Sequence, residues 1–230
     1  MKKFRHECKF ILDAVDAELV REKISAICSP DSHTAEDGHY YVRSLYFDTI
    51  DDSYLQENLA GANIRHKYRI RVYNCDDSRI SLERKETEMG LKHKESCLLT
   101  KTQCNELING NLFVRYDSDQ TVLQEMCVEH MLKFLRPKVI VDYLRIPYIY
   151  PSGNVRITFD HQVSSSARPD DFLNKSALVN PVFPDNSVVF EVKYDELLPR
   201  AIRDIINKYS RFEQTAFSKY VYARSNYKNG

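Results

Sequence analysis

The chain has 230 residues, enough for one large domain or two small ones, and is 43% hydrophobic and 29% charged, the balance of a globular protein with a real core. Its 33 basic and 33 acidic residues cancel, which excludes generic attraction of the whole molecule to nucleic acid or anionic lipid; any strong positive field must be local. Neither the six cysteines nor the seven histidines form a C-x-x-C or H-E-x-x-H pattern, so no zinc site is expected.

In chain order, "MKKFRHECKFIL" has lysines but no apolar run behind them, so it does not read as a signal peptide. No stretch reaches the length of a membrane span, and "VIVDYL" is interrupted by Asp142. With no secretion signal the scattered cysteines read as reduced thiols of a cytosolic protein. Residues 4–10 alternate as a strand. "DAVDAELVREKISAI" follows as a helix with Asp13 as N-cap and with Val15, Leu19, Ile24 and Ile27 at approximately helical spacing. "YYVRSLYFD" (40–48) is rich in β-formers, and 51–61 reads as a short helix or turn ending at Gly61. Strands are expected over 66–73, 79–87 and 90–99, then helices from about Thr102 to Gly110 and over 120–135, stopping before Pro137. Strands resume at 138–146 and 154–160, with a last one at 187–195; between them, 161–186 reads as a long irregular, mobile loop. The C-terminal stretch from Arg200 looks helical in two pieces. No repeat or linker divides the chain, so 1–230 reads as a single domain.

Most strands carry one apolar and one charged face. The charged faces hold Arg5, Glu7 and Lys9; Lys67, Arg69 and Arg71; Glu83 and Lys85; Lys92 and Lys94; Arg145; Arg156 and Asp160; and Glu191 and Lys193, which is eleven cations against four carboxylates. An ordinary antiparallel sheet with a wet polar side is the plain alternative. Yet the whole chain is neutral, so this excess is segregated. Cations about 5 Å apart at an effective dielectric of about 20 repel by roughly 3 kcal/mol per pair. An anion is the natural occupant. Eight strands can close into a small barrel with alternate residues pointing inward. Helices would then cover an apolar outside and the charged face would line a wet tunnel suited to phosphates. The inward glutamates Glu7, Glu83 and Glu191 either pair with neighbouring cations or hold a divalent metal.

The segments "RHECKF" (5–10), "SLYFDT" (44–49), "KYRIRVY" (67–73), "LERKE" (82–86), "YLRIPY" (143–148), "VRITFD" (155–160), "FEVKY" (190–194) and "FSKYVYA" (217–223) appear in one order over nearly the whole chain. Together they resemble the VTC (polyphosphate polymerase) domain of the triphosphate tunnel metalloenzymes, the superfamily of the CYTH-type triphosphatases and class IV adenylate cyclases. The resemblance implies an α+β fold: an eight-stranded antiparallel tunnel-like β-barrel with a charged interior and peripheral helices. It implies transfer of the ATP γ-phosphate onto a growing polyphosphate chain. Lys9, Arg69, Arg71, Lys85, Arg145 and Lys219 would be catalytic phosphate ligands. Arg5, Lys67, Lys92, Lys94, Arg156, Lys193 and Ser218 would line the substrate path. Glu191, with Glu7 and Glu83 as further candidates, would hold Mn²⁺ or Mg²⁺. CYTH proteins open with Glu-x-Glu-x-Lys; here Arg5 stands in the first position, ahead of Glu7 and Lys9, which favours the VTC branch over the two-metal hydrolases. No SPX domain or membrane segment is seen, so a separate membrane protein at the inner face of a membrane is a candidate partner, and the oligomeric state is open.

Chain growth needs no general base, because a terminal phosphate oxygen is already ionised; positioning and charge stabilisation carry the catalysis. The alternatives are a metal-dependent triphosphatase and a non-catalytic polyphosphate- or nucleotide-binding module. An RNA-binding barrel is disfavoured, since no set of exposed stacking aromatics accompanies the cations. Tyr46 and Tyr143 read as packing groups, and the side to which Arg43 points is not fixed by the pattern.

Overall fold

The alternating segments form the strands β1 (His6–Leu12), β2 (Ser29–Pro30), β3 (Tyr40–Asp48), β4 (Ile64–Tyr73), β5 (Asp76–Glu88), β6 (Leu91–Leu99), β7 (Arg136–Tyr150), β8 (Val155–Ser166), β9 (Asn180–Pro181) and β10 (Val188–Tyr194). This computed structural model describes residues 4–32, 34, 37–111, 120–183, 185–212 and 217–228. One antiparallel sheet runs in the order β1-β10-β8-β7-β3-β4-β5-β6, with β2 on β7 and β9 on β8. The sheet is not a closed ladder. Its two ends meet where the backbone of Arg5 and Lys92 exchange hydrogen bonds of 2.9 and 3.0 Å. Every long connection is antiparallel, so alternate residues of the eight-strand path face one enclosed space, and the fold is the expected α+β tunnel-like barrel.

Helices cover the apolar outside. They are α1 (Ala14–Ser25), α2 (Ser53–Leu59), α3 (Lys101–Ile108), α4 (Thr121–Lys133), α5 (Arg200–Asn207) and α6 (Lys219–Lys228). Tyr68, Ile70 and Leu82 on the outer faces of β4 and β5 pack with Cys104 and Leu107 of α3 and Met126 of α4. Phe10, Phe159 and Phe190 on the opposite flank pack with Val20 of α1 and Ile202 of α5. Each such side chain, removed from water, contributes about 2 kcal/mol to folding. A third cluster differs in kind. It joins Phe217, Tyr220 and Ala223 at the start of α6 to the inward residues Tyr46, Val141, Tyr143 and Val189. This cluster closes one end of the barrel with apolar side chains.

Local chemistry sets the helix ends as expected for α1, where the Asp13 side chain accepts from the Asp16 amide at 2.8 Å. The buried stripe of α1 is nevertheless Ala17, Val20 and Ile24, while Val15 is 71% exposed and Leu19 44%. The three buried positions fall at i, i+3 and i+7; the expected set does not keep that period, and the helix turns its more regular stripe inward. Thr100 and Gln103 form a capping box that starts α3 a residue before the expected Thr102. The stretch 161–186 is also more ordered than expected. Its first residues, 161–166, extend β8 along β7, a 3₁₀ turn occupies Pro169–Leu173, and β9 pairs Asn180 with Ser165. Serines 164–166 have little strand signal of their own; pairing with β7 holds them extended. Residues 184 and 213–216, which fall in that stretch and in the C-terminal one, lie outside the described residues.

Candidate active site: a basic tunnel

Parity along the strands places the charged face inside. Glu7 and Lys9 of β1 stand opposite Lys193 and Glu191 of β10. Lys67 and Arg69 of β4 stand opposite Lys85 and Glu83 of β5, and Lys85 opposite Lys94 of β6. Two adjoining cavities result. The wider, about 300 Å³, is lined by Arg5, Arg69, Arg71, Lys85, Lys92, Lys94, Arg145, Arg156 and Lys193, with Glu7 among them. The deeper, about 50 Å³, shares Arg69, Arg71, Lys85, Arg145 and Lys193 and adds Lys9, Lys67, Ser218, Lys219 and Glu191. The thirteen expected catalytic and substrate-path residues therefore line one continuous space.

Four inward carboxylates hold this wall together. Glu83, 2% exposed, accepts from Arg69 Nε at 2.7 Å and Lys94 Nζ at 2.8 Å, with Arg71 at 3.7 Å. Glu7 accepts from Lys85 Nζ at 2.8 Å and Lys9 Nζ at 2.9 Å. Asp160 takes Arg145 in a two-pronged pair at 2.6 and 2.8 Å and Lys219 Nζ at 2.6 Å. Glu191 is paired with Lys193, and its other oxygen lies 4.0 Å from Lys9 Nζ. Burial pushes each carboxyl towards its neutral form, but the cations outweigh it. Lys85, Lys9 and Lys193 hold Glu7 well below the usual range, and Arg69, Arg71 and Lys94 do so for Glu83. Arg145 and Lys219 hold Asp160 low. Burial and the neighbouring Glu7 both oppose ionisation of Glu191, yet Lys193, Lys9 and Lys85 bring it to about 2.

Tyrosines position the arginines. Arg69 Nη1 donates to Tyr46 Oη at 3.0 Å, Arg71 Nη2 to Tyr143 Oη at 3.1 Å, and Arg71 Nε to Ser44 Oγ at 3.0 Å. Tyr46 and Tyr143 are thus polar walls of the deep cavity, not only packing groups. Their inward parity with Ser44 and Arg145 is the sequence signal that could have marked them. Asp160 likewise belongs to the site, as the anchor of Arg145 and Lys219. Arg43 points outward. It forms a buried pair with Asp142, with contacts of 2.8 to 3.1 Å, and donates to Asn174 O at 2.6 Å, tying the Pro169–Leu173 turn to the barrel. Arg5 stays at the mouth, 2.8 Å from Asp195.

The three glutamates do not assemble as one metal cage. Among the described residues no group of three or more His, Cys, Asp or Glu side chains is placed to hold a cation. Glu83 serves Arg69 and Lys94 and does not line either cavity, and Glu7 is held between two lysines. Glu191 differs. It lines the deep cavity and only one of its oxygens is tightly paired. Glu191, a hard carboxylate beside a phosphate-sized cavity, would suit a divalent cation as its protein ligand.

A barrel that is apolar outside and cationic inside, with α6 docked on it, defines a basic-tunnel protein. The family profile of the VTC domain matches residues 4–227, and the chain belongs to that family. Solved structures share the fold at low identity. A candidate adenylate cyclase of Bacillus halodurans superposes with a TM-score of 0.52 at 15% identity, covering 91% of each chain. A candidate adenylyl cyclase of Hippeastrum, reported to have a dominant triphosphatase activity, gives 0.55 at 15% identity and 96% of each chain. A search of curated proteins finds no match. No helix among the described residues is long and apolar enough to cross a membrane.

Proposed function

We propose that this protein is a polyphosphate polymerase that transfers the ATP γ-phosphate to the end of a polyphosphate chain inside the tunnel. The observation that carries the reading is the charge left over on the inner wall. Twelve lysines and arginines line one cavity system against four inward carboxylates, and the excess persists when Arg5 and Arg156 are matched with Asp195 and Asp31. Such a wall favours a polyanion as its occupant. Arg5, where the hydrolytic relatives carry a carboxylate, favours chain growth over hydrolysis.

An ionised terminal oxygen of the acceptor attacks the γ-phosphorus, the bond from that phosphorus to the β,γ-bridging oxygen breaks, and ADP leaves with the electron pair. No proton has to be removed from the nucleophile. Arg69, Arg71, Lys85, Arg145 and Lys193 line both cavities and so can hold donor and acceptor phosphates together. Arg69 and Arg71, fixed by Tyr46 and Tyr143, present their remaining donors to phosphate oxygens. Lys9, Lys219 and Ser218 contact the phosphate in the depth of the tunnel. A divalent cation on Glu191 would neutralise the charge that develops between the phosphates.

A second reading, metal-dependent triphosphatase, is favoured by the reported activity of the Hippeastrum relative. Incubation with ATP and Mn²⁺ separates the two. A ladder of long phosphate chains supports the polymerase, whereas orthophosphate without polymer supports the hydrolase. Binding without turnover, unaffected by Glu191→Ala except in metal affinity, would instead identify a binding module. As a control, Arg69→Ala is expected to lose more than about tenfold in rate, the scale of one lost charge-assisted phosphate contact; a smaller loss would remove Arg69 from the phosphate clamp.

A further inference from the structure

Lys67 stands apart within the deep cavity. Its Nζ donates to Ser218 Oγ at 2.8 Å and approaches Asn58 Oδ1 at 3.3 Å. Both partners are neutral. Among the described residues it makes no ion pair, whereas Lys9, Arg69, Arg145, Lys193 and Lys219 around the same cavity each have a carboxylate partner.

Its other neighbours are positive. Lys9 of β1, Arg69 of β4, Lys85 of β5 and Lys92 of β6 face it, and α2 and α6 offer it only Asn58 and Ser218. The next residue of α6, Lys219, is already bound to Asp160. The nearby carboxylates Glu7 and Glu191 are taken by Lys85, Lys9 and Lys193. A further positive charge placed in this low-dielectric cluster meets repulsion from the four strands that face it, with the nearby carboxylates already paired.

We propose that Lys67 takes up a proton when a phosphate chain enters the tunnel, so that anion binding and protonation at this one amine are coupled. The phosphate supplies the missing counter-charge, the amine becomes an ammonium, and its hydrogen bond to Ser218 is supplemented by one to phosphate. Burial, and then Lys85, Lys9 and Arg69, push the amine in the anion-free protein well below the ordinary lysine range, in keeping with this. Lys92 sits in the wider cavity with Thr87 Oγ1 at 3.0 Å and is held at about 8 by burial first and Lys9 next. Burial also holds Lys85 well below, and Lys193 below, the ordinary lysine range despite their carboxylate partners, so Lys85, Lys92 and Lys193 are further proton acceptors that the test must separate from Lys67.

The inference rests on the phosphate-binding reading of the tunnel, and the test distinguishes the two. Inorganic tripolyphosphate is titrated into the protein in a metal-free medium at about pH 8.5 in two buffers of different ionisation enthalpy; protons released by the ligand itself are common to all the proteins compared. The dependence of the heat on the buffer gives the protons taken up. Wild type is compared with Lys67→Arg, which keeps a permanent charge, and with Lys67→Gln. Both variants retain Lys85, Lys92 and Lys193, so the contributions of these three are common to all the proteins compared. The expected result is that wild type takes up about one proton more than either variant. Lys67→Arg should bind within about threefold of wild type, and Lys67→Gln about tenfold more weakly, as for one lost charged contact. Binding with equal proton uptake in all three proteins would overturn the inference alone. No binding by wild type would overturn the tunnel reading and the inference with it.

Discussion

Asp160 shows how much one inward carboxylate does here. It is fully buried, accepts both prongs of Arg145 and binds Lys219. Removing one partner of such a group leaves charges stranded without counter-ion. Asp160→Ala is therefore expected to destabilise the phosphate-free protein by about 3–5 kcal/mol, read as a drop in the urea midpoint. Added tripolyphosphate should recover part of the loss by supplying the anion itself. A change below about 1 kcal/mol would show that Arg145 and Lys219 find other partners, and that the wall is less constrained than its geometry indicates. Glu83 plays the corresponding part for Arg69 and Lys94, and Glu7 for Lys85 and Lys9. Pairing and phosphate binding are thus not rival roles for these arginines and lysines. The carboxylate fixes one edge of each cation and leaves further donors facing the cavity.

At the scale of elements, α6 is the piece whose placement matters most, because Ser218 and Lys219 at its start reach the deep cavity. What holds it is an unobvious link to α2. Tyr220 Oη donates to Asp48 Oδ2 at 2.5 Å, while Asp48 accepts the amides of Tyr54 and Leu55 at 2.9 and 3.0 Å and so starts α2. Arg224 donates to Asp52 Oδ2 at 2.7 Å and to Tyr220 Oη at 3.1 Å. Tyr220→Phe removes the charge-assisted hydrogen bond but keeps the ring. It is expected to cost about 1.5–3 kcal/mol and to speed hydrogen exchange across α6 while leaving α3 unchanged. Equal protection in α6 before and after the substitution would show that Arg224 and the apolar contacts of Phe217 suffice. The strands need no such link, since their ladders fix register and their alternation fixes which side chains face inward.

For the whole molecule, the interior charges couple stability to pH and to anions. The carboxyls of Glu7, Glu83, Asp160 and Glu191 are all held low in the folded protein. A carboxyl whose folded pKa is depressed stabilises the fold above its unfolded value, and that contribution disappears as pH falls through the folded value. For Glu191 the window runs from the ordinary 4.5 down to about 2. The urea midpoint should accordingly fall steadily as the pH is lowered from about 5 towards about 3; a flat profile would mean that the unfolded chain keeps these pairs. Inorganic tripolyphosphate at neutral pH should raise the melting temperature, and the increase should shrink as salt screens the interaction.

Much of this was legible in the sequence for a simple reason. A strand has period two, so "KYRIRVY" already separates Lys67, Arg69 and Arg71 from Tyr68, Ile70 and Val72, and no tertiary contact is needed to see it. Charge neutrality of the whole chain then turned the cation excess of one face into a claim about an enclosed anion. What the pattern could not supply was partnership. Arg69 and Tyr46 are 23 residues apart and Lys67 and Ser218 are 151 apart, and only the closing of the sheet and the docking of α6 bring them together. For the same reason the sequence left Glu7, Glu83 and Glu191 open between pairing with cations and holding a divalent metal. Parity says that a glutamate faces inward, but which cation reaches it first depends on distances across the barrel, and these leave Glu191 alone with a free edge. The amino-acid order determined what faces the tunnel, because facing is a local property of an extended chain; the tertiary structure decided which charges are cancelled and which wait for a ligand, because that depends on neighbours brought together only when the chain closes on itself.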